Sequence, residues 1–110
     1  MRIAMMTNNY KPFVAGVPIS IERLTDGLRK LGCEVVVFAP TYKEQKEEID
    51  TVRYHSLLQG VLGGVSIPSP IDRRIEAEFK KRDFDIIHVH HPMIIGKTAA
   101  YLSEKYNVPL

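Results

Sequence analysis

Three histidines close one short apolar run of this chain, Asp85-Ile86-Ile87-His88-Val89-His90-His91-Pro92. Imidazoles gathered in this way can ligate a metal or hydrogen-bond a small molecule. Four consecutive apolar-compatible positions, Ile86 to Val89, predict a strand buried on both faces, as in a parallel sheet. Pro92 lacks the N–H that a central ladder needs, so the strand should end where the histidines cluster. Open α/β sheets bind ligands at the carboxyl ends of their parallel strands. The histidines therefore fall where a small molecule would be handled.

Alternation along a strand sends His88 and His90 to one face and His91 to the other. Two same-face histidines could supply two zinc ligands, but no nearby Asp, Glu or Cys completes a set. Asp85 is directed oppositely to His88 and sits at the far end of the run. No metal site is expected. His88, deeper in the strand, reads as a core histidine, and His90, at the mouth of the sheet, is better placed to bond a ligand.

A second candidate is the loop Asn8 to Val17, between the first strand and the first helix. Such loops offer backbone N–H groups and a positive helix terminus to anions. Gly16, placed just before the helix, either makes the turn or lets a phosphate or sugar approach the backbone. It has no glycine partner, so the dinucleotide fingerprint G-x-G-x-x-G is absent. Gly96-Lys97-Thr98 mimics the tail of a phosphate loop, but position 91 is not glycine. Nucleophilic catalysis finds no support either. Cys33 begins a strand away from the ligand edge, and no serine stands in a G-x-S-x-G elbow. No catalytic residue is assigned.

The elements that must position these residues alternate. Arg2 to Thr7 predicts the first strand. A helix follows from about Pro18, suited to a first turn, to Leu31, with Ile21, Leu24, Leu28 and Leu31 inward. Gly27 inside it suggests close packing on the sheet, and Gly32 is the expected stop. Glu34 to Ala39 is the second strand, ended by Pro40 and parallel to the first through a right-handed crossover. Lys43 to Glu48 reads as a solvated loop or turn, Thr51 to His55 as a third strand, and Gln59 to Pro70 as an irregular connection. Ser69-Pro70-Ile71-Asp72 resembles a helix start, with Ile71, Ile75 and Phe79 on its apolar face. Arg73, Arg74, Lys80, Lys81 and Arg82 make that helix basic, which reads as a solvated face or a contact for anionic lipid. After the histidine strand, a last helix runs from about Ile94 to Tyr106, with Ile95, Ala99, Leu102 and Tyr106 inward. Val108-Pro109-Leu110 resembles the opening of another buried strand, cut off. This order predicts a Rossmann-like, doubly wound, mainly parallel α/β sheet with helices on both faces.

The 110 residues suffice for one domain, 1–110, and not for two with proper cores. A hydrophobic content of 45% and a charged content of 25% are ordinary for a globular chain, and a net charge of +2 gives no reason to expect nucleic acid as a partner. No run approaches the length needed to span a bilayer, and the first residues read as a buried strand rather than a signal peptide. The single cysteine rules out an intrachain disulfide and fits a reducing cytoplasm.

Taken together, the motifs resemble the amino-terminal domain of a family 4 retaining glycosyltransferase of the GT-B fold. Met1 to Thr7 with Tyr10-Lys11-Pro12 and Ala15-Gly16-Val17 is similar to the family's first strand and glycine loop. Leu24 to Pro40 follows its helix, Gly-His-Glu-Val turn and strand ending in Ala-Pro. Asp83 to Pro92 matches its Asp-Ile-Ile/Val-His-x-His-x-Pro segment. There are two departures: Ala15-Gly16 stands where many members carry Gly-Gly, and Cys33 replaces a common histidine.

The resemblance implies sugar transfer from a nucleotide-sugar donor to a sugar or lipid acceptor, with no cofactor and no metal. Gly16, with Val17 beside it, maps to backbone that approaches the donor, and His90 to a contact with the donor sugar. His91 is a further candidate binding residue. The implied protein has a second, nucleotide-binding domain that these residues lack, so the chain alone should be inactive. It also implies a cytoplasmic location, peripheral to the inner face of the membrane, with Gly60 to Gly64 and the basic helix as a candidate acceptor wall. The alternatives are a non-catalytic Rossmann-like module that binds nucleotide or phosphate, and a sugar-nucleotide epimerase of the same architecture.

Overall fold

The computed structural model describes residues 1–8, 10–11, 16–41, 50–54, 74–91 and 95–110. Its elements are β1 (Arg2–Met6), α1 (Gly16–Lys30), β2 (Glu34–Pro40), β3 (Thr51–Tyr54), α2 (Arg74–Lys80), β4 (Ile86–Val89) and α3 (Ile95–Tyr106). The four strands form one parallel sheet in the order β3-β2-β1-β4. Helices cover both faces, as the alternating sequence pattern requires.

Period-two alternation divides the core between the faces. Ile3 and Met5 of β1 join Val35, Val37 and Ala39 of β2 against Ile21 of α1. Ala4, Met6, Val36 and Phe38 face the other way, onto Ile75 and Phe79 of α2 and Ile95, Ala99 and Leu102 of α3. An aromatic group anchors that second face. Phe79 lies 5.1 Å from Phe84, 5.6 Å from Tyr106 and 6.4 Å from Phe38, centroid to centroid. Phe38 meets Phe84 edge-on at 5.8 Å.

The inward sets expected for α2 and α3 are found where described: Ile75 and Phe79 are buried, as are Ile95, Ala99 and Leu102, with Tyr106 partly so. On α1 the buried stripe is Pro18, Ile21 and Thr25, with Leu28 packed at its edge. Leu24 is 37% exposed and Leu31 82% exposed, so the expected face is turned by about one position. Leu31 fails to turn inward because it follows the last helical residue. Gly27 is a second correction. It is exposed, and a Cβ built there meets nothing within 4 Å, so sheet packing does not explain it.

Gly32 does stop the helix. At φ +91° it sits in the left-handed region, its N–H donating to Arg29 O while Cys33 N–H reaches back to Leu28 O. These two bonds are a Schellman motif. Asn107, at φ 54°, ends α3 in the same way, with Val108 N–H on Ser103 O.

The histidine strand departs most from expectation. β4 stands at the edge of the sheet, and of its four residues only Ile87 is fully buried. Its α1-facing side borders an apolar groove of about 480 Å³ lined by Leu24, Leu28, Ile86, His88 and Leu110. Ile87 N–H donates to Pro109 O at 2.8 Å, so the chain after α3 does run beside β4. Asp85 fixes the other end of the strand, its Oδ2 accepting from Arg2 N–H at 2.7 Å. The sequence expectations for residues 9, 12–15, 42–49, 55–73 and 92–94, including most of the loop before α1 with Pro12 and Ala15, lie outside the described residues.

Candidate functional site

The carboxyl ends of β1 and β4 lie side by side. Parallel pairing aligns Met6 with Val89, and His90 N–H continues the ladder onto Met6 O at 3.0 Å. The next residues of each chain, Thr7-Asn8 and His90-His91, are thereby brought together. Thr7 and Asn8 are both buried.

His88 and His90 share a face, their rings stacked at 4.4 Å and 7°. His88 is exposed within these 110 residues, on the groove side of β4, rather than enclosed as expected. His90 is half-buried, with Nε2 2.9 Å from Met5 Sδ. Burial, reinforced by the charges of His88 and His91, lowers its pKa from 6.5 to about 4. His91 takes the opposite direction. Its Nδ1 accepts from Asn8 N–H at 3.1 Å and lies 3.4 Å from Thr7 Oγ1, and burial lowers its pKa as well.

A protonated His90 would have to hold its charge in this half-buried stack, so protons bind the unfolded chain first. The folded pKa is depressed, and the stability this group contributes is complete above pH 6.5 and lost as pH falls toward 4. Urea midpoints should therefore decline across that window. In His90→Gln the decline should be visibly flatter, and an unchanged slope would refute the assignment.

Gly16 is the first residue of α1, one step further in than the turn position expected of it, and Val17 follows on an exposed surface. A Cβ at Gly16 meets nothing within 4 Å among the described residues. Both residues share the carboxyl edge of the sheet with the histidines through β1, but no hydrogen bond joins the two pairs among the described residues. Gly96, set aside as a false phosphate-loop match, has a packing reason: a Cβ there would lie 3.1 Å from His91 O.

Periodicity does not reveal the polar ties behind this edge. Tyr54 Oη, fully buried, donates to Thr7 O at 2.6 Å. Arg53 is 8% exposed and spans two segments, Nη1 donating to Pro40 O at 2.9 Å and Nη2 to Lys11 O at 2.8 Å. Its guanidinium also lies 5.4 Å from the Tyr10 ring centroid. Asn8 Oδ1 accepts from Ile95 N–H at 3.1 Å and so caps α3 from the segment just after β1. A charged residue inside a short strand, Arg53, was the one available signal. Just after α2, Lys81 and Arg82 both pair with Glu78 of that helix, which takes up part of the basic face.

Residues 14–110 match the sequence model of Glycosyltransferase Family 4. The chain belongs to that family. Among curated relatives, it is 26% identical over 115 residues to a GDP-mannose-dependent alpha-mannosyltransferase of Corynebacterium glutamicum, and the match covers 99% of the chain and 28% of the relative. It is 28% identical to the alpha-monoglucosyldiacylglycerol synthase of Acholeplasma laidlawii, covering 99% and 28%. A GDP-mannose-dependent alpha-mannosyltransferase of Mycolicibacterium smegmatis is 29% identical, covering 99% and 31%. The chain thus spans about three-tenths of the length of these family members.

Proposed function

We propose that the family 4 chain forms the acceptor-side, amino-terminal domain of a GT-B glycosyltransferase. The full-length enzyme moves a sugar from a nucleotide-sugar donor to a sugar or lipid acceptor with retention at the anomeric carbon. One observation carries the reading: a family 4 chain places two half-buried histidines, His90 and His91, at the carboxyl edge of a parallel sheet. That edge is where ligands enter such sheets. His90 contacts the donor sugar, and Gly16 and Val17 let the donor approach the backbone. His91 binds alongside. A fixed set of hydrogen-bond partners orients the sugar while the diphosphate leaves.

The relatives' names make GDP-mannose the first donor to try and a diacylglycerol glycolipid a reasonable acceptor. No metal or other cofactor is required by this reading. The second domain supplies the nucleotide site, so the 110 residues alone are inactive. No described helix is long and apolar enough to cross a membrane, and the proposed location is cytoplasmic, peripheral to the inner membrane face.

The test is radiolabelled sugar transfer by the full-length protein, with GDP-mannose and UDP-glucose as donors and mixed lipid or saccharide acceptors. His90→Ala should lower kcat/KM about tenfold or more, the worth of one hydrogen bond to a charged or strongly polar partner. Transfer by the 110-residue chain alone would overturn the two-domain assignment.

A further inference from the structure

Asn8 N–H donates to His91 Nδ1 at 3.1 Å. A backbone amide is only ever a donor, so this Nδ1 presents a lone pair, and the neutral ring must carry its one proton on Nε2. Thr7 Oγ1, 3.4 Å from the same nitrogen, can only reinforce that choice by donating too. Burial keeps the ring neutral.

Asn8 is itself held. It is 3% exposed at the end of β1, and its Oδ1 accepts from Ile95 N–H at 3.1 Å. The same residue therefore sets the histidine with its backbone and the start of α3 with its side chain. Gly96, in the first turn of α3, permits the close approach to His91 O.

We infer that Asn8 is a positioning residue that fixes His91 as the Nε2–H tautomer, so that His91 acts as a hydrogen-bond donor to an oxygen of the bound ligand. The other tautomer would turn a lone pair toward that oxygen and repel it. Phosphoryl and sugar hydroxyl oxygens share the acceptor chemistry. The ligand's identity rests on the nucleotide-sugar reading; the tautomer does not.

Histidine nitrogen NMR of the ligand-free, full-length protein at neutral pH tests the tautomer, with His91 assigned by loss of its signals in His91→Asn. The Nε2–H pattern is expected, and an Nδ1–H pattern or rapid averaging of the two would overturn the inference. Asn8→Ala removes the tie to α3 and should let the ring sample both forms. Asn8→Asp, which keeps an acceptor oxygen, should restore the single form. A single Nε2–H form in Asn8→Ala would overturn the part assigned to the Asn8 side chain, since the backbone amide alone would then hold the ring.

Two substitutions test the donor. His91→Asn keeps an oxygen for Asn8 N–H, but its amide N–H groups stop short of the place of Nε2, whereas His91→Gln carries an amide N–H near it. Calorimetry with GDP-mannose and UDP-glucose should show binding weakened about tenfold or more in His91→Asn and by no more than about threefold in His91→Gln. Equal loss in both, or loss in neither, would overturn the donor role. GDP and UDP then separate the sources. A loss that extends to the free nucleotides assigns a phosphoryl oxygen, and one confined to the sugar nucleotides assigns a hydroxyl. Failure of all four to bind, with the Nε2–H tautomer still observed, would overturn the nucleotide-sugar reading and leave the Asn8–His91 unit standing.

Discussion

Phe79→Ala should cost about 3–5 kcal/mol, because a large buried ring is lost and the cavity it leaves cannot fully close. Phe79 is 2% exposed and its ring touches Phe38, Phe84 and Tyr106, so α2, β2 and α3 all lose a partner at once. Domains of this size are stable by about 5–15 kcal/mol in total. The substitution therefore consumes much of the margin, and a large fall in the urea midpoint with little change in slope is expected. Phe79→Leu, which keeps most of the volume, should recover more than half of the loss. A change below about 1 kcal/mol in Phe79→Ala would mean that the aromatic group is not the anchor of this face.

Arg53→Met should cost about 3 kcal/mol, since two hydrogen bonds from a charged group to backbone carbonyls vanish together. The effect reaches the site. Pro40 O and Lys11 O are held by one guanidinium, so its loss frees the end of β2 and the segment leading into α1 together. Arg53→Lys should recover little, because a single ammonium cannot reproduce the planar fork that spans both carbonyls. Thermal unfolding measures the stability. Amide exchange at Thr41 and across the first turn of α1 should quicken in the same variant. Unchanged exchange there would confine Arg53 to a purely local role.

Sequence periodicity carried the order and type of the elements because it records which side of each element meets apolar neighbours. β1 and β2 alternate between two buried faces, and α3 repeats Ile95, Ala99 and Leu102 on one side; both patterns were readable. β4 looked equally apolar, yet its place at the sheet edge depends on pairing order, which no local pattern encodes. The turned face of α1 has a related cause, because Leu24 and Pro18 are equally good apolar candidates until the sheet is placed beneath them.

Of the site, the histidines and Gly16 were legible as residue types at a strand end and a helix start. The residues that hold them were not. Thr7, Asn8, Arg53 and Tyr54 act through bonds to partners 13 to 87 positions away, and such bonds leave no periodic trace.

Those separations have a kinetic consequence. The Asn8–Ile95 bond closes a loop of 87 positions and the Asn8–His91 bond one of 83. Closing loops of that length is entropically costly and gains nothing until both ends of the chain have collapsed onto the sheet. The corner around Asn8 should therefore be among the last parts to assemble during folding. A ligand that needs His91 in place has almost no affinity for partly folded chains, and its binding free energy passes undiluted into the stability of the finished fold.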